Sequence, residues 1–254
     1  GEFGAALVRS VKGRVLTTGH RADADVHSVS ATLDALGVRA DVTTPAGDVR
    51  LESRLVGEHN LENLLTALGV LLELGYAPDA AARALSGAPP APGRLERCDD
   101  DTDDVRVLVD YAHTPDALAR VLTAVAGITR GELICVFGCG GDRDPGKRPK
   151  MGAAVGHGAA RAILTSDNPR SEEPSVIAAQ VEAGLGEAGG RYEIELDRAR
   201  AIERAILEAR PGDSVLIAGK GHEPYQIVGS ERRAFDDRVE ARKALALRRT
   251  RGSA

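Results

Sequence analysis

From Val105 onward the chain alternates two kinds of apolar pattern, and few folds accept that alternation. Short unbroken runs, Val105 to Val109, Leu133 to Phe137, Ala162 to Thr165 and Ser214 to Ala218, read as strands. The stretches from Pro115, near Met151, from Pro174, over Arg198 to Glu208 and from Arg238 read as helices. Strands separated by helices imply crossover connections, so the expected class is α/β with a mainly parallel sheet covered on both faces. Ligands of such sheets bind at loops that follow the carboxyl ends of the strands.

The first part of the chain is different. Residues 14 to 18 read as a strand, then Val38, Ala40 and Val42 alternate with polar residues, and Val49, Leu51 and Leu55 do the same. Pro45-Ala46-Gly47-Asp48 supplies turn chemistry between the last two, which predicts a hairpin. Leu61, Leu64, Leu65, Leu68, Leu71 and Leu72 then recur at three- and four-residue steps until Gly75, an amphipathic helix, and a second helix is expected at about Pro78 to Leu85. The Pro/Gly stretch from Gly87 to Gly93 supports neither helix nor central strand. It sets the expected boundary between a domain at 1–87 and another at 88–254. A length of 254 residues accommodates two cores, built from Leu, Val, Ile and Ala because there is no Trp and one Met.

A formal charge of −5 argues against nucleic acid or an anionic membrane as partner. The three cysteines, Cys98, Cys135 and Cys139, lack CxxC spacing and are expected as reduced thiols. No apolar run approaches the roughly 18 residues of a membrane span, and the N-terminus shows no signal-peptide core, so a cytoplasmic location without membrane insertion is expected. The run from Asp99 to Asp104 is expected to be a solvated hairpin tip.

Four strand-end loops carry unusual side chains. In Asp110-Tyr111-Ala112-His113-Thr114-Pro115, Thr114 is a good N-cap and Pro115 a good first helical residue, an arrangement that serves a capped helix or an anion equally well. The Gly138 to Pro149 loop is glycine-rich, but Arg143 stands where a GxGxxG fingerprint needs glycine; the glycines would let the loop project Arg143 into a cleft or onto the surface. In Asp167-Asn168-Pro169-Arg170 an Asx-Pro turn would hold a guanidinium suited to a carboxylate, or simply be a turn. Gly219-Lys220-Gly221-His222-Glu223 sets bare backbone beside three ionisable groups, of which Lys220 and Glu223 can pair on the surface. Neither Gly146-Lys147 nor Gly219-Lys220 is followed by Ser or Thr, so the sequence encodes no P-loop.

These loops, in this order and joined by Gly57-Glu58-His59-Asn60-Leu61-Glu62-Asn63 and Pro92-Gly93-Arg94-Leu95-Glu96, resemble the Mur ligase family, within it the diaminopimelate-adding branch of MurE type. Six segments from Gly57 to Phe235 carry the resemblance. It implies a Rossmann-like C-terminal domain with a mainly parallel sheet, preceded by the last strands and helices of a P-loop-type central ATPase domain. It further implies that the UDP-binding part, the P-loop and the ligands of Mg2+ lie upstream, and that these residues alone are an inactive monomer with no catalytic or metal-ligating residue of their own. The reaction implied is ATP-dependent addition of meso-diaminopimelate to UDP-N-acetylmuramoyl-L-alanyl-D-glutamate, the UDP-linked muramoyl dipeptide of peptidoglycan synthesis, through an acyl phosphate.

By the same resemblance His59, Asn60 and Asn63 lie near adenine, Arg94 and Asp110 near ribose, and His113 near the phosphates of ATP. Arg170, oriented by Asp167, Asn168 and Pro169, would read one diaminopimelate carboxylate and Arg143 another, while Glu223 and the Gly219 carbonyl would hold the distal ammonium. A lysine-adding ligase is the nearest alternative, disfavoured because Arg170 would face an uncharged methylene as a buried, unpaired cation. A non-catalytic module that binds diaminopimelate or a protein partner is a second alternative, and a folate-type ligase, which has no use for residues 167–170, a third.

Overall fold

The computed structural model describes residues 8–34 and 37–252, and the first residues read above for a leader lie outside that range. The chain divides into two compact units, one ending at Pro89 and the other beginning at Pro90.

The first unit is a four-stranded sheet with two helices. Its strands run in the order β1 (Thr18–Gly19), β2 (Val26–Asp34), β3 (Gly37–Thr43) and β4 (Val49–Ser53), with β1 parallel to β2 and the rest antiparallel. The expected hairpin is β3–β4; its turn is closed by Thr44, whose hydroxyl donates to Gly47 O and accepts from Ala46 N. Val49 and Leu51 are buried while Arg50 and Glu52 face water. Helices α1 (Glu58–Glu73) and α2 (Pro78–Ser86) bury Leu61, Leu64, Leu65, Leu68, Ala81 and Ala82 against Val26, Val38, Ala40 and Leu51 of the sheet. Two expectations need correction. The strand read at 14–18 is confined to Thr18–Gly19, and the nine residues of β2, Val-His-Ser-Val-Ser-Ala-Thr-Leu-Asp, form an unforeseen strand. Its middle is exposed and mostly polar, so it carries little apolar alternation.

In the second unit six strands pair in the order β5-β6-β10-β7-β8-β9. They are β5 (Glu96–Arg97), β6 (Arg106–Asp110), β7 (Leu133–Phe137), β8 (Arg161–Leu164), β9 (Tyr192–Ile194) and β10 (Ser214–Ala218). Every pairing is parallel except β5 with β6. Successive residues of a strand point to opposite faces, and here both faces are apolar. Leu108, Cys135, Phe137 and Leu216 pack under α3 (Pro115–Ala126), α4 (Lys147–Gly158) and α5 (Pro174–Ala188). Val107, Val109, Ile134, Val136, Val215 and Ile217 pack under α6 (Arg198–Glu208) and α7 (Asp237–Gly252). This double burial explains why the strands read as unbroken apolar runs. A small hairpin of β11 (Tyr225–Val228) and β12 (Glu231–Ala234) completes the unit.

The acidic run is the expected hairpin tip, joining antiparallel β5 and β6 with Asp100, Asp101, Thr102 and Asp104 exposed, but its carboxylates are paired rather than left to repel one another. Asp99 is buried and accepts from Arg97, Arg106 and the Val107 N–H, while Asp103 and Asp104 pair with Arg249 and Arg248 of α7. Carboxylates so close together are tolerated because arginines neutralise them, Arg97 and Arg106 from the flanking strands and Arg248 and Arg249 from α7. The cysteines are free and buried.

Candidate functional site

Because β6, β7, β8 and β10 are mutually parallel, their carboxyl ends, at Asp110, Phe137, Leu164 and Ala218, lie along one edge of the sheet. The four loops singled out in the sequence follow directly from these ends.

Three of them interlock. Arg170 takes a left-handed backbone (φ 53°), rare for a residue with a side chain. It is held there from both sides, its N–H donating to Ile227 O at 3.1 Å and its carbonyl accepting from Gly229 N at 2.7 Å. The Arg170 Nη1 donates to Gly141 O at 2.6 Å, which ties the guanidinium to the glycine-rich loop. A methyl group built on Gly140 would stand 2.9 Å from Arg170 Nη1 and 3.8 Å from Arg143 Cγ, so the two arginines flank the same bare backbone. Arg143 itself is exposed, with a 3.3 Å bond to Asp142 O.

Asn168 connects this group to the fourth loop. Its side chain is buried and its Nδ2 donates to Glu223 Oε2 at 2.8 Å, while its Oδ1 accepts from Ile227 N at 2.9 Å. Pro169 stays close to the glycine-rich loop; a methyl on Gly141 would sit 1.9 Å from its carbonyl oxygen. Asp167 is buried, and burial pushes its carboxyl above the usual range even though Arg198 and Lys220 oppose that shift. Gly219 has a φ of 116°, and a methyl there would stand 2.7 Å from Asp167 Oδ2. Arg170, Asn168 and Glu223 thus form one connected region, and the Arg143 stem borders the same glycine backbone as Arg170.

Sequence reasoning missed the side chains beneath these loops. Lys220 is not a surface partner of Glu223; it is fully buried, because the loop folds its stem inward and supplies acceptors for its ammonium. Arg198 and Asp237, both fully buried, form a two-bond ion pair at 2.7 and 2.8 Å. The Arg198 guanidinium also donates to Ala218 O at 3.0 Å and Ser166 O at 3.4 Å, the residues just before Gly219 and Asp167. Arg148, on α4, makes paired bonds to Glu172 and donates to Gly140 O, which fixes the base of the Arg143 loop. A polar residue in an otherwise apolar helical stripe was the available signal for Arg198.

The loop after β6 is separate in character. Tyr111 is its hub: the guanidinium of Arg94 lies 5.1 Å from the ring centroid, and the His113 and His222 rings lie 4.6 and 5.2 Å away. Arg94, His113 and His222 are exposed. Asp110 is buried and its carboxylate accepts from Leu95 N and Ala112 N at 2.8 and 2.7 Å, so it shapes the loop from within. Thr114 caps α3, as its sequence position suggests, accepting from Ala117 N. In the first unit His59 and Asn63 are exposed, while Asn60 is buried with its Nδ2 donating to Val56 O at 2.8 Å.

Among the described residues no group of three or more His, Cys, Asp or Glu side chains is placed to hold a metal ion. No described helix is long and apolar enough to cross a membrane.

Residues 93–221, which hold the first three loops and the start of the fourth, match the family profile described as Mur ligase, glutamate ligase domain. The chain belongs to the Mur ligase family. A protein of Gloeobacter violaceus named UDP-N-acetylmuramoyl-L-alanyl-D-glutamate--2,6-diaminopimelate ligase is 48% identical over 239 residues, which is 94% of this chain and 49% of that protein. A protein of the same name from Nostoc sp. is 50% identical over 226 residues, 89% of this chain and 45% of its own length. A solved structure of a ligase so named superposes with a TM-score of 0.71 at 38% identity, covering 97% of this chain and 50% of the other. A Thermotoga maritima UDP-N-acetylmuramate-alanine ligase, at 17% identity and a TM-score of 0.66 over 94% of this chain and 48% of its own, shares the Mur ligase fold. The α/β architecture expected from the alternating pattern is therefore that of Mur ligases, and the chain spans about half the length of the relatives it matches.

Proposed function

We propose that this chain supplies the amino-acid-binding half, and part of the nucleotide site, of an ATP-dependent ligase that joins meso-diaminopimelate to UDP-N-acetylmuramoyl-L-alanyl-D-glutamate. The observation that carries the reading is the convergence of Arg170 and Glu223 through Asn168. Diaminopimelate bears a carboxylate and an ammonium at each end. Arg170 can take the distal carboxylate through a guanidinium fork, and Glu223 with the Gly219 carbonyl can take the neighbouring ammonium. Arg143, exposed on its loop, is suited to the other carboxylate. Asp167, Asn168 and Pro169 act by fixing Arg170. In this reading the domains divide at 87/88, next to the compact-unit boundary.

ATP fits the exposed face around Tyr111, where Arg94 and His113 offer donors to ribose and phosphate oxygens. Asp110 serves that face by holding Leu95 and Ala112 in place. His59, Asn60 and Asn63 are assigned to adenine; the first and third are exposed, whereas Asn60 acts from within the helix start. ATP supplies the phosphoryl group that activates the D-glutamate carboxylate. In this reading the residues of these loops hold the attacking amino acid in line. Catalysis of this kind depends on positioning more than on covalent chemistry.

The test joins this chain to an upstream half from a relative and measures product formed from meso-diaminopimelate and from lysine. Arg170→Ala should abolish the preference for meso-diaminopimelate. An unchanged preference removes Arg170 from the specificity role, and absence of tripeptide product from the joined parent protein sinks the ligase reading.

A further inference from the structure

Lys220 has no part in the scheme above, yet its placement is costly enough to need one. Its ammonium is fully buried in a loop, where a charged group is stable only if its protons find acceptors. It has three protons and three acceptors: the Tyr225 carbonyl, Asn168 Oδ1 at 3.3 Å and Glu223 Oε2 at 3.4 Å. Burial pulls its pKa below the ordinary lysine value, with Asp167 opposing that pull.

The Asn168 contact has a directional consequence. An ammonium and the Ile227 N–H both require an acceptor, so together they turn the oxygen of the Asn168 amide toward themselves. The nitrogen of the same amide then has to face the other way, toward Glu223 Oε2. Glu223 is therefore gripped by one oxygen from two directions, by Asn168 Nδ2 and by Lys220 Nζ. Its Oε1 makes no bond among the described residues. The charges below this arrangement balance in pairs, Arg198 and Lys220 against Asp167 and Asp237.

We propose that Lys220 is a positioning residue for the ligand's ammonium: it polarises Asn168 and anchors one oxygen of Glu223 so that the other is presented to the guest. This rests on the reading of the 219–223 loop as the ammonium site. Lys220 itself never touches the ligand; it acts through Glu223.

Calorimetric titration of the 254-residue chain with meso-diaminopimelate tests it, using the parent, Lys220→Met, Glu223→Gln and the double variant. Lys220→Met should weaken binding roughly 10- to 100-fold, the scale of a lost bond to a charged group. Adding it to Glu223→Gln should cause no further loss, because the effect passes through the carboxylate that Glu223→Gln has already neutralised. Losses that multiply in the double variant, or an unchanged affinity in Lys220→Met, would overturn the role of Lys220 while leaving the diaminopimelate site standing. No binding by the parent would overturn the loop reading and this inference with it. Should Lys220→Met not unfold cooperatively, Lys220→Arg replaces it in the same cycle. Arginine keeps the charge but, being planar, cannot meet the three acceptors, so the same pattern of losses is expected.

Discussion

Asp237→Ala is expected to destabilise the chain by about 3–5 kcal/mol, because it strands a buried guanidinium. The figure follows from the geometry. Asp237 accepts two charge-assisted bonds from Arg198, at 2.7 and 2.8 Å, with both side chains out of contact with solvent. Each such bond contributes about 1.5–3 kcal/mol, and the cation left behind has lost its counter-charge without regaining water. The double variant Arg198→Met/Asp237→Leu removes both charges and should recover most of the loss. It should not recover all of it, since Ala218 O and Ser166 O lose their donor; a deficit of about 1–3 kcal/mol is expected to remain. Urea unfolding of the chain followed by far-UV circular dichroism gives both values, with the slope against denaturant checking that the transition is comparable. Because those two carbonyls precede Gly219 and Asp167, the double variant should also bind diaminopimelate more weakly than its recovered stability suggests. A loss below about 1 kcal/mol for Asp237→Ala, or a double variant no better than the single, would refute the reasoning.

Arg148 and the Asp142 N–H hold the Glu172 carboxyl down to about 2, so its folded pKa lies below its unfolded one. The pairing is then complete above the ordinary carboxylate range and is lost as pH falls through about 2; the amide shift of Asp142 should report that midpoint, and a midpoint at 4.5 contradicts the pairing. Burial raises the thiols of Cys98, Cys135 and Cys139 to about 12, so the native chain at pH 8 should resist an aromatic disulfide reagent until unfolded, and rapid labelling of the folded chain would count against the described cores. Gly219→Ala should cost about 1–3 kcal/mol through its φ of 116° and its contact with Asp167, measured by the same urea titration; a neutral effect would mean the loop relaxes.

The central strands were legible because a doubly covered parallel sheet forces continuous apolar runs, and the helices because Pro115, Pro174 and the Leu repeat mark their starts and faces. The short strands β5 and β9 and the β11–β12 hairpin were not: two to four half-buried or exposed residues carry no period. The loops that bear Arg143, Arg170 and Glu223 were visible as dense ionisable turns after strands. What supports them was not, because it depends on partners far apart in the chain. Arg198 meets Asp237 across 39 residues and Lys220 meets Asn168 across 52, distances over which a single sequence offers no pairing rule. The same holds for Asp100, Asp103 and Asp104 of the acidic run, whose arginines arrive from the last helix, 146 residues beyond Asp103 in one pairing.

Strand β10 is tenth in the chain yet lies in the interior of its sheet, between β6 and β7. During synthesis, then, β6 can pair with β5 and β7 with β8, but the two halves of the sheet cannot be joined until residue 218 has left the ribosome. Until that moment each exposes an unpaired edge rich in valine and isoleucine, the kind of surface that captures other nascent chains. Truncations ending before β10 should therefore precipitate rather than yield a smaller folded sheet, and chaperones that shield β edges should be needed mainly in the interval between the synthesis of β7 and that of β10.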